Sequence, residues 1–322
     1  MDLRQIECFL CLYQEGNVTR AAARLGIVQP ALSTQIAKLE KDLQVQLFDR
    51  TSRGMTPTAA GTDLHKMLLP LSLEVAGIRQ RMHDLGGQAS GIVRLGVVPS
   101  LGVSIVPRTL SAYCEQHADV LVRLTEAYSS GLVDRLEAGV LDLAVVNHSQ
   151  RLGGLATEDL VSEELVLVVA NDSPLAPPGH IGLDGIAGER LIVPTAGQGL
   201  RVIIDSSLGR RGLCARPRLE MDALTPTLEL VKTGNWATIL PISAIAHELE
   251  ARTLCICRID EEMRRELVVV HHPRRPLSLA AQSLVERLAC DTRRAVDLAE
   301  DVLNSVAAMP SRRKVSRERR PQ

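Results

Sequence analysis

The sequence predicts a multidomain α+β fold, and three features carry that expectation. Its amino-terminal part holds short amphipathic helices followed by two extended pieces; a heptad seam then runs along one long helix; the remainder alternates Val-, Ile- and Leu-rich strands with helices. A chain of 322 residues exceeds what one hydrophobic core usually organises, so separate cores are expected. Its 45% apolar and 23% charged residues are ordinary for a water-soluble protein, and no apolar run reaches membrane-spanning length, so no membrane partner is expected. The opening MDLRQIECFL lacks a basic leader, an apolar block and a small-residue cleavage site, which predicts a cytoplasmic location.

Helical spacing of Ile6, Phe9, Leu10 and Tyr13 predicts an amphipathic helix over 3–14 that ends near Gly16. Asn17 reads as the N-cap of a second, short helix through Ala21, Ala22, Ala23 and Leu25, stopped by Gly26; its alanines let another helix axis approach closely. Pro30 suits the first turn of a third helix, because its missing N–H has no partner there anyway. Leu32, Ile36, Leu39 and Leu43 form that helix's apolar stripe, leaving Gln29, Pro30, Ser33, Thr34 and Ala37 on a small, polar face. Compact donors and acceptors near a helix start suit a DNA major groove better than a long charged face does. Thr19 and Arg20, opening the second helix, join this set of candidate DNA contacts.

The segment LFDRTSRGMTPT, 47–58, predicts a small hairpin, a wing on which Arg50 and Arg53 are placed to meet a phosphate or a minor groove. The whole chain has a net charge of −1, and residues 1–58 hold seven Lys or Arg against six Asp or Glu, so local geometry rather than overall charge must attract nucleic acid. Short helices joined by glycine also occur in plain packing modules. The order of turn, proline start, polar face and basic wing is what favours a helix-turn-helix.

Leu64, Leu68, Leu71, Val75, Ile78, Met82 and Leu85 are spaced by alternating steps of four and three, the pattern of a helix that pairs with a second copy of itself. The competing reading is that the seam packs on the chain's own carboxyl-terminal part; Pro70, inside the helix, predicts a bend. Gly86, Gly87 and Gly91 then mark a hinge.

Strands are expected at 92–98, 141–146, 165–170, 191–194, 218–221, 237–241 and 266–272, with a helix over 103–116, giving two α/β lobes around a ligand cleft. Residues that follow strands and open helices are the candidate effector contacts: Ser100 and Leu101, Ser129 and Ser130, Asn147, and, from the opposite lobe, Thr195, Gly197 and Gln198. Each taken alone is equally a cap or turn residue.

No G-x-S-x-G or Walker loop occurs, and GQGLRV places Val202 where a dinucleotide fingerprint needs its third glycine, so no enzyme is expected. The seven cysteines are an odd, scattered set that fits reduced thiols. Cys255, Cys257, His271 and His272 lack zinc spacing, so neither a metal nor a cofactor is expected. The terminal PSRRKVSRERRPQ carries six Arg or Lys against one Glu and reads as a solvated basic tail that could add sequence-independent DNA affinity.

Over nearly its full length the chain resembles the LysR-type transcriptional regulators, through NVTRAAARLGIVQPALSTQIAKLE, LFDRTSRGMTPTAAG, GIVRLGVVPS and LELVKTGNWATILP. Within them it is similar to the nitrogen assimilation control subgroup, through GLRVIIDSSLGRRG. The resemblance implies a winged helix-turn-helix domain at 1–58, a linker and dimerisation helix at 59–88, a two-lobed sensor like periplasmic binding proteins at 89–307, and a basic tail at 308–322. Lobe I would comprise 91–162 with 266–307, and lobe II 163–265. It also implies a dimer or tetramer on promoter double-stranded DNA, a small-molecule effector in the interlobe cleft, and RNA polymerase as a further partner. Gln29, Pro30 and Ser33 would read bases, Arg53 would occupy the wing, and Ser100, Ser129 and Thr195 would line the cleft. Trp236 stands where such regulators often have glycine and is expected to alter packing or narrow the cleft. Regulators of the nitrogen-control kind can act without an effector, so an effector-independent regulator is the alternative; a cleft-bearing enzyme or solute-binding protein is a third.

Overall fold

The computed structural model describes residues 1–51, 54–84, 86–87, 89–148, 152–173, 180–186 and 190–307. Ser52, Arg53 and Leu85, together with the basic tail at 308–322, lie outside the described residues.

Helix α1 (Leu3–Glu15) is opened by a capping box, in which the Asp2 carboxylate accepts from Gln5 N at 2.8 Å and Gln5 Oε1 accepts from Asp2 N at 2.9 Å. Gly16, at φ 59°, ends it, and Asn17 caps α2 (Val18–Arg24) by accepting from Arg20 N at 3.1 Å. Helix α3 (Gln29–Leu43) follows with Pro30 in its first turn. It buries Leu32, Ile36 and Leu39 against Phe9, Leu12 and Ala21. Leu43, expected on that stripe, is exposed instead; the chain leaves the helix there, and Leu47 takes the buried place.

Strands β1 (Phe48–Thr51) and β2 (Gly54–Pro57) form an antiparallel hairpin whose base is stitched to the head, since Met55 N donates to the Gly16 carbonyl at 2.8 Å. Gly54 sits at φ 128° with its Cα against that same carbonyl, a place no side chain can occupy. Helix α4 (Ala59–Asp84) spans 26 residues and runs continuously through Pro70. Its first half packs on the head through Leu68, which is buried, and Leu64, which is partly so.

The sensor begins with β3 (Gly91–Val97), α5 (Pro99–Ser104), α6 (Val106–Gln116), β4 (Val120–Glu126), α7 (Ser129–Glu137) and β5 (Leu143–Asn147). The single helix expected over 103–116 is thus two helices, divided at Ile105 where Pro107 opens the second. Strand β6 (Ala156–Ala170) crosses to the second lobe, which adds β7 (His180–Ile181), α8 (Leu183–Ile186), β8 (Leu191–Val193), α9 (Gly199–Gly209), β9 (Leu219–Glu220), α10 (Leu224–Lys232) and β10 (Ala237–Pro241). A 3-10 turn (Ile242–Ile245), α11 (Ala246–Glu250) and β11 (Leu254–Ile259) complete it, before β12 (Arg264–His271) returns to the first lobe and α12 (Leu279–Ala307) closes the chain.

In the first lobe β4, β3 and β5 are parallel and β12 is antiparallel to β5. In the second, β9, β8 and β10 are parallel and β6 is antiparallel to β10. β6 belongs to both: residues 156–164 pair with β12, and 165–170 pair with β10 and β11. α12 is also shared, because Ala280, Leu284 and Leu288 enter the first lobe's core while Val296, Ala299 and Leu303 enter a core of the second. The expectation that 266–307 belongs to lobe I alone is corrected accordingly; an amphipathic helix of this length reaches past one lobe. Among the described residues no helix is long and apolar enough to cross a membrane. Cys255 and Cys257 lie on β11, whereas His271 and His272 lie at the far end of β12, and the described residues contain no group of three or more metal-ligating side chains.

Candidate nucleic-acid interface and interlobe cleft

The turn between α2 and α3 puts Thr19, Arg20, Gln29, Pro30 and Thr34 on one exposed surface, with Ser33 half-buried at its edge. Thr19 Oγ1 donates to Gln29 Oε1 at 3.5 Å, linking the two helices across that surface. Arg20 is tethered: its guanidinium donates to the Glu15 carbonyl and lies 3.6 Å from the Glu15 carboxylate, which also pairs with Arg24 at 2.9 Å. Thr34 spends its hydroxyl proton on the Pro30 carbonyl at 2.8 Å, so it presents a methyl group and an acceptor rather than a donor. Of the four expected contacts on α3, Gln29 and Ser33 are the two whose side-chain donors no hydrogen bond among the described residues uses. Ser33 and the exposed Arg50 of β1 line one shallow groove with Val18, Ala37 and Phe48, which joins the helix face to the wing. Arg53 lies outside the described residues.

Between the lobes is a second concavity, a cleft of about 640 Å³ open to solvent. Its walls are chiefly aliphatic, with Val98 and Pro99 facing Val193, Pro194, Leu200 and Met221. Ser100, Ser129 and Asn147 come together on the first lobe's side. Ser129 Oγ accepts from Asn147 N at 3.1 Å and from its Nδ2 at 3.3 Å, whereas Ser100 Oγ and Asn147 Oδ1 are buried with no partner among the described residues. Leaving such groups unpaired costs free energy, which a polar ligand atom would recover. The first turns of α7, α9 and α10 also face the cleft and add partial positive charge.

The other five expected contacts are not among the residues that line this concavity. Leu101 is in the first lobe's core and Ser130 points to solvent, since successive residues of a helix start turn by about 100°. Thr195 is occupied by Asp222, which accepts from its N at 2.9 Å and its Oγ1 at 2.6 Å. Gly197, at φ 89°, forms the turn before α9, and Gln198 is the N-cap residue of that helix. Trp236 packs partly into the second lobe's core and does not narrow the cleft.

Lining residues that sequence reasoning missed are Arg265, Tyr128, Asp222, Thr227 and Thr238. Arg265 is buried and clamps Glu163 through Nε at 2.9 Å and Nη2 at 2.7 Å, while Glu163 also accepts from Ser243 N at 2.8 Å and Ser243 Oγ at 3.0 Å. The Tyr128 hydroxyl donates to the Asp222 carbonyl across the cleft mouth; burial, reinforced by the Asp222 charge, pushes its pKa up to about 12. Two further bridges join the lobes: Ser104 Oγ donates to the Ser243 carbonyl at 2.6 Å, and Arg108 pairs with Glu250 at 2.7 Å.

Residues 3–62 match the model of the bacterial regulatory helix-turn-helix proteins of the lysR family, and residues 86–292 match the LysR substrate binding domain. This chain belongs to the LysR family. As a LysR regulator it is a DNA-binding transcription factor with an effector-binding type of sensor domain, not an enzyme, and members of the family bind promoter DNA and oligomerise. It is 31% identical over 256 residues to the nitrogen assimilation regulatory protein nac of Klebsiella aerogenes, covering 79% of this chain and 81% of that protein. It is 32% identical over 241 residues to the transcriptional regulator YybE of Bacillus subtilis, covering 75% and 82%. Full-length OxyR from Pseudomonas aeruginosa shares the fold, with a TM-score of 0.70 at 21% identity over 91% of this chain and 95% of that one. CbnR in complex with its target DNA also shares it, with a TM-score of 0.61 at 21% identity over 92% and 100%.

Proposed function

We propose that this LysR regulator reads promoter DNA with the start of α3 and braces it with the wing, as a dimer formed along α4 that can pair into a tetramer. The carrying observation is the exposed surface at Gln29 and Pro30, edged by the half-buried Ser33 and continuous through a groove with Arg50. Arg53 belongs with Arg50 as a backbone contact, and Thr19, Arg20 and Thr34 frame the base-reading face. Ser33→Ala is expected to relax sequence preference, whereas Arg50→Ala weakens binding to all sequences alike and lowers the salt slope by about 1. Operator titrations across a salt series check both; parental behaviour in both variants overturns the assignment.

The cleft is the site for a small effector in this reading, a compact and largely apolar molecule with one polar end for Ser100 and Asn147. The unpartnered Ser100 Oγ and Asn147 Oδ1 support it. Promoter contact brings such a regulator to RNA polymerase, and the site of action is the cytoplasm. A second reading, regulation without an effector, is favoured by the three protein bridges that hold the lobes together unaided, and by the similarity to nac. A reporter assay comparing wild type with Ser100→Ala separates the two: a metabolite response that wild type shows and the variant loses supports sensing, and identical output from both proteins with and without metabolites supports control by abundance.

A further inference from the structure

A second, larger concavity, about 1080 Å³ counting the solvent-open space at its mouth, lies between the carboxyl-terminal half of α4 and the first lobe, away from the interlobe cleft. Three guanidiniums line it, from Arg81, Arg94 and Arg275, against one carboxylate, from Asp142. That carboxylate is already engaged by Arg94, accepting from its backbone N at 2.7 Å and from Nη1 at 3.4 Å. Arg275 has no such partner. Its Nε is buried without a hydrogen bond, and its side chain makes no hydrogen bond or ion pair among the described residues. It is held in place by packing: Gly139, at φ 71°, leaves room for Arg275 Nη1 and for Leu73 of α4, which a side chain there would strike. Burial opposes the Arg275 charge, with Asp142 and Glu74 offsetting it from a distance. Burial also holds the neighbouring His272 below its ordinary range, and the Arg275 and Arg274 charges add to that effect while Glu74 opposes it. A half-buried guanidinium with an unmet donor is costly, and its planar fork fits phosphate and carboxylate oxygens.

We propose that this cavity is a binding site for a multiply charged oxyanion, a small metabolite bearing a phosphate or clustered carboxylates, gripped by Arg275 and Arg81. The site is built half from the linker helix and half from the sensor, and Gln80 Nε2 donating to the Ser90 carbonyl at 3.1 Å already ties the two beside it. An anion bound there links α4 to the first lobe and so fixes the direction in which the heads project.

The test uses the full chain at constant ionic strength, balanced with chloride, titrated with inorganic phosphate and separately with citrate. Thermal melting and calorimetric titration are the readouts, on wild type, Arg275→Met and Arg81→Met. At least one anion is expected to raise the wild-type melting temperature in a dose-dependent way, with affinity at least tenfold weaker in each variant; which one does so separates a phosphate from a polycarboxylate ligand. Arg81 is exposed on its helix, so that variant reports even where Arg275→Met lowers stability. No effect of either anion beyond chloride, or the same affinity in both variants as in wild type, overturns the proposal.

Discussion

Glu163 and Arg265 are 0% and 3% exposed in their side chains, and each is the other's charge partner at the place where the cleft floor meets both lobes. Removing one partner of such a pair strands the other. Glu163→Ala is therefore expected to destabilise the sensor by about 3 kcal/mol, read as a lowered denaturant midpoint, and Glu163→Gln by less because the amide still accepts. The pair also shows where sequence reading stops. Ser100, Ser129 and Asn147 could be named in advance because each follows or ends a strand, and local order alone delivers them to the cleft. Arg265 could not, since its role depends on β12 lying beside β6, where it faces Glu163 across the ladder at a separation of about a hundred residues. Thr195 was misplaced for the same kind of reason: Asp222, which occupies it, arrives from a different strand connection.

The heptad spacing along α4 is satisfied in two ways within one helix. Leu64 and Leu68 are consumed by the head, while Leu71, Ile78 and Met82 stay 42%, 63% and 60% exposed. Periodicity could not divide the seam, because a helix that packs inward and one that packs on a copy of itself use the same spacing. The caps and the glycine stops of α1 and α2, by contrast, were readable, being short-range backbone chemistry. At the junction of head and linker the Tyr13 ring stacks on His65, with centroids 3.9 Å apart and planes 14° from parallel. Burial holds the His65 imidazole below its ordinary value. The unfolded chain then takes up a proton near pH 6.5 that the folded junction resists, so this contact's stabilisation is present above that pH and declines as pH falls below it. His65→Phe, which keeps a flat ring and loses the proton, is expected to melt with a weaker pH dependence than wild type between about pH 7 and about pH 5.

In the proposed dimer two whole molecules meet along the exposed part of the α4 seam. Ile78→Glu places a charge in the middle of that stripe without touching either core, so it is expected to shift the protein towards monomer in sedimentation while leaving its circular dichroism unchanged. A monomer would also bind a single half-site as before and lose the gain from two joined half-sites. The broad architecture of helical head, long connector and paired α/β lobes was legible from the change in hydrophobic period along the chain. The sharing of elements between lobes was not, because β6 reads as a short apolar run at 165–170 and its first half, with exposed Glu and Asp, hides the fact that it is one strand of 15 residues.

That single strand means the two halves of the sensor are not hung on a slack cord. Any opening of the mouth at Tyr128 and Asp222 has to twist a continuous ribbon whose one end is laced to β12 and whose other end is laced to β10 and β11. Torque applied at either end is carried along it, and α12, lying across both halves, is bound to feel the same turn.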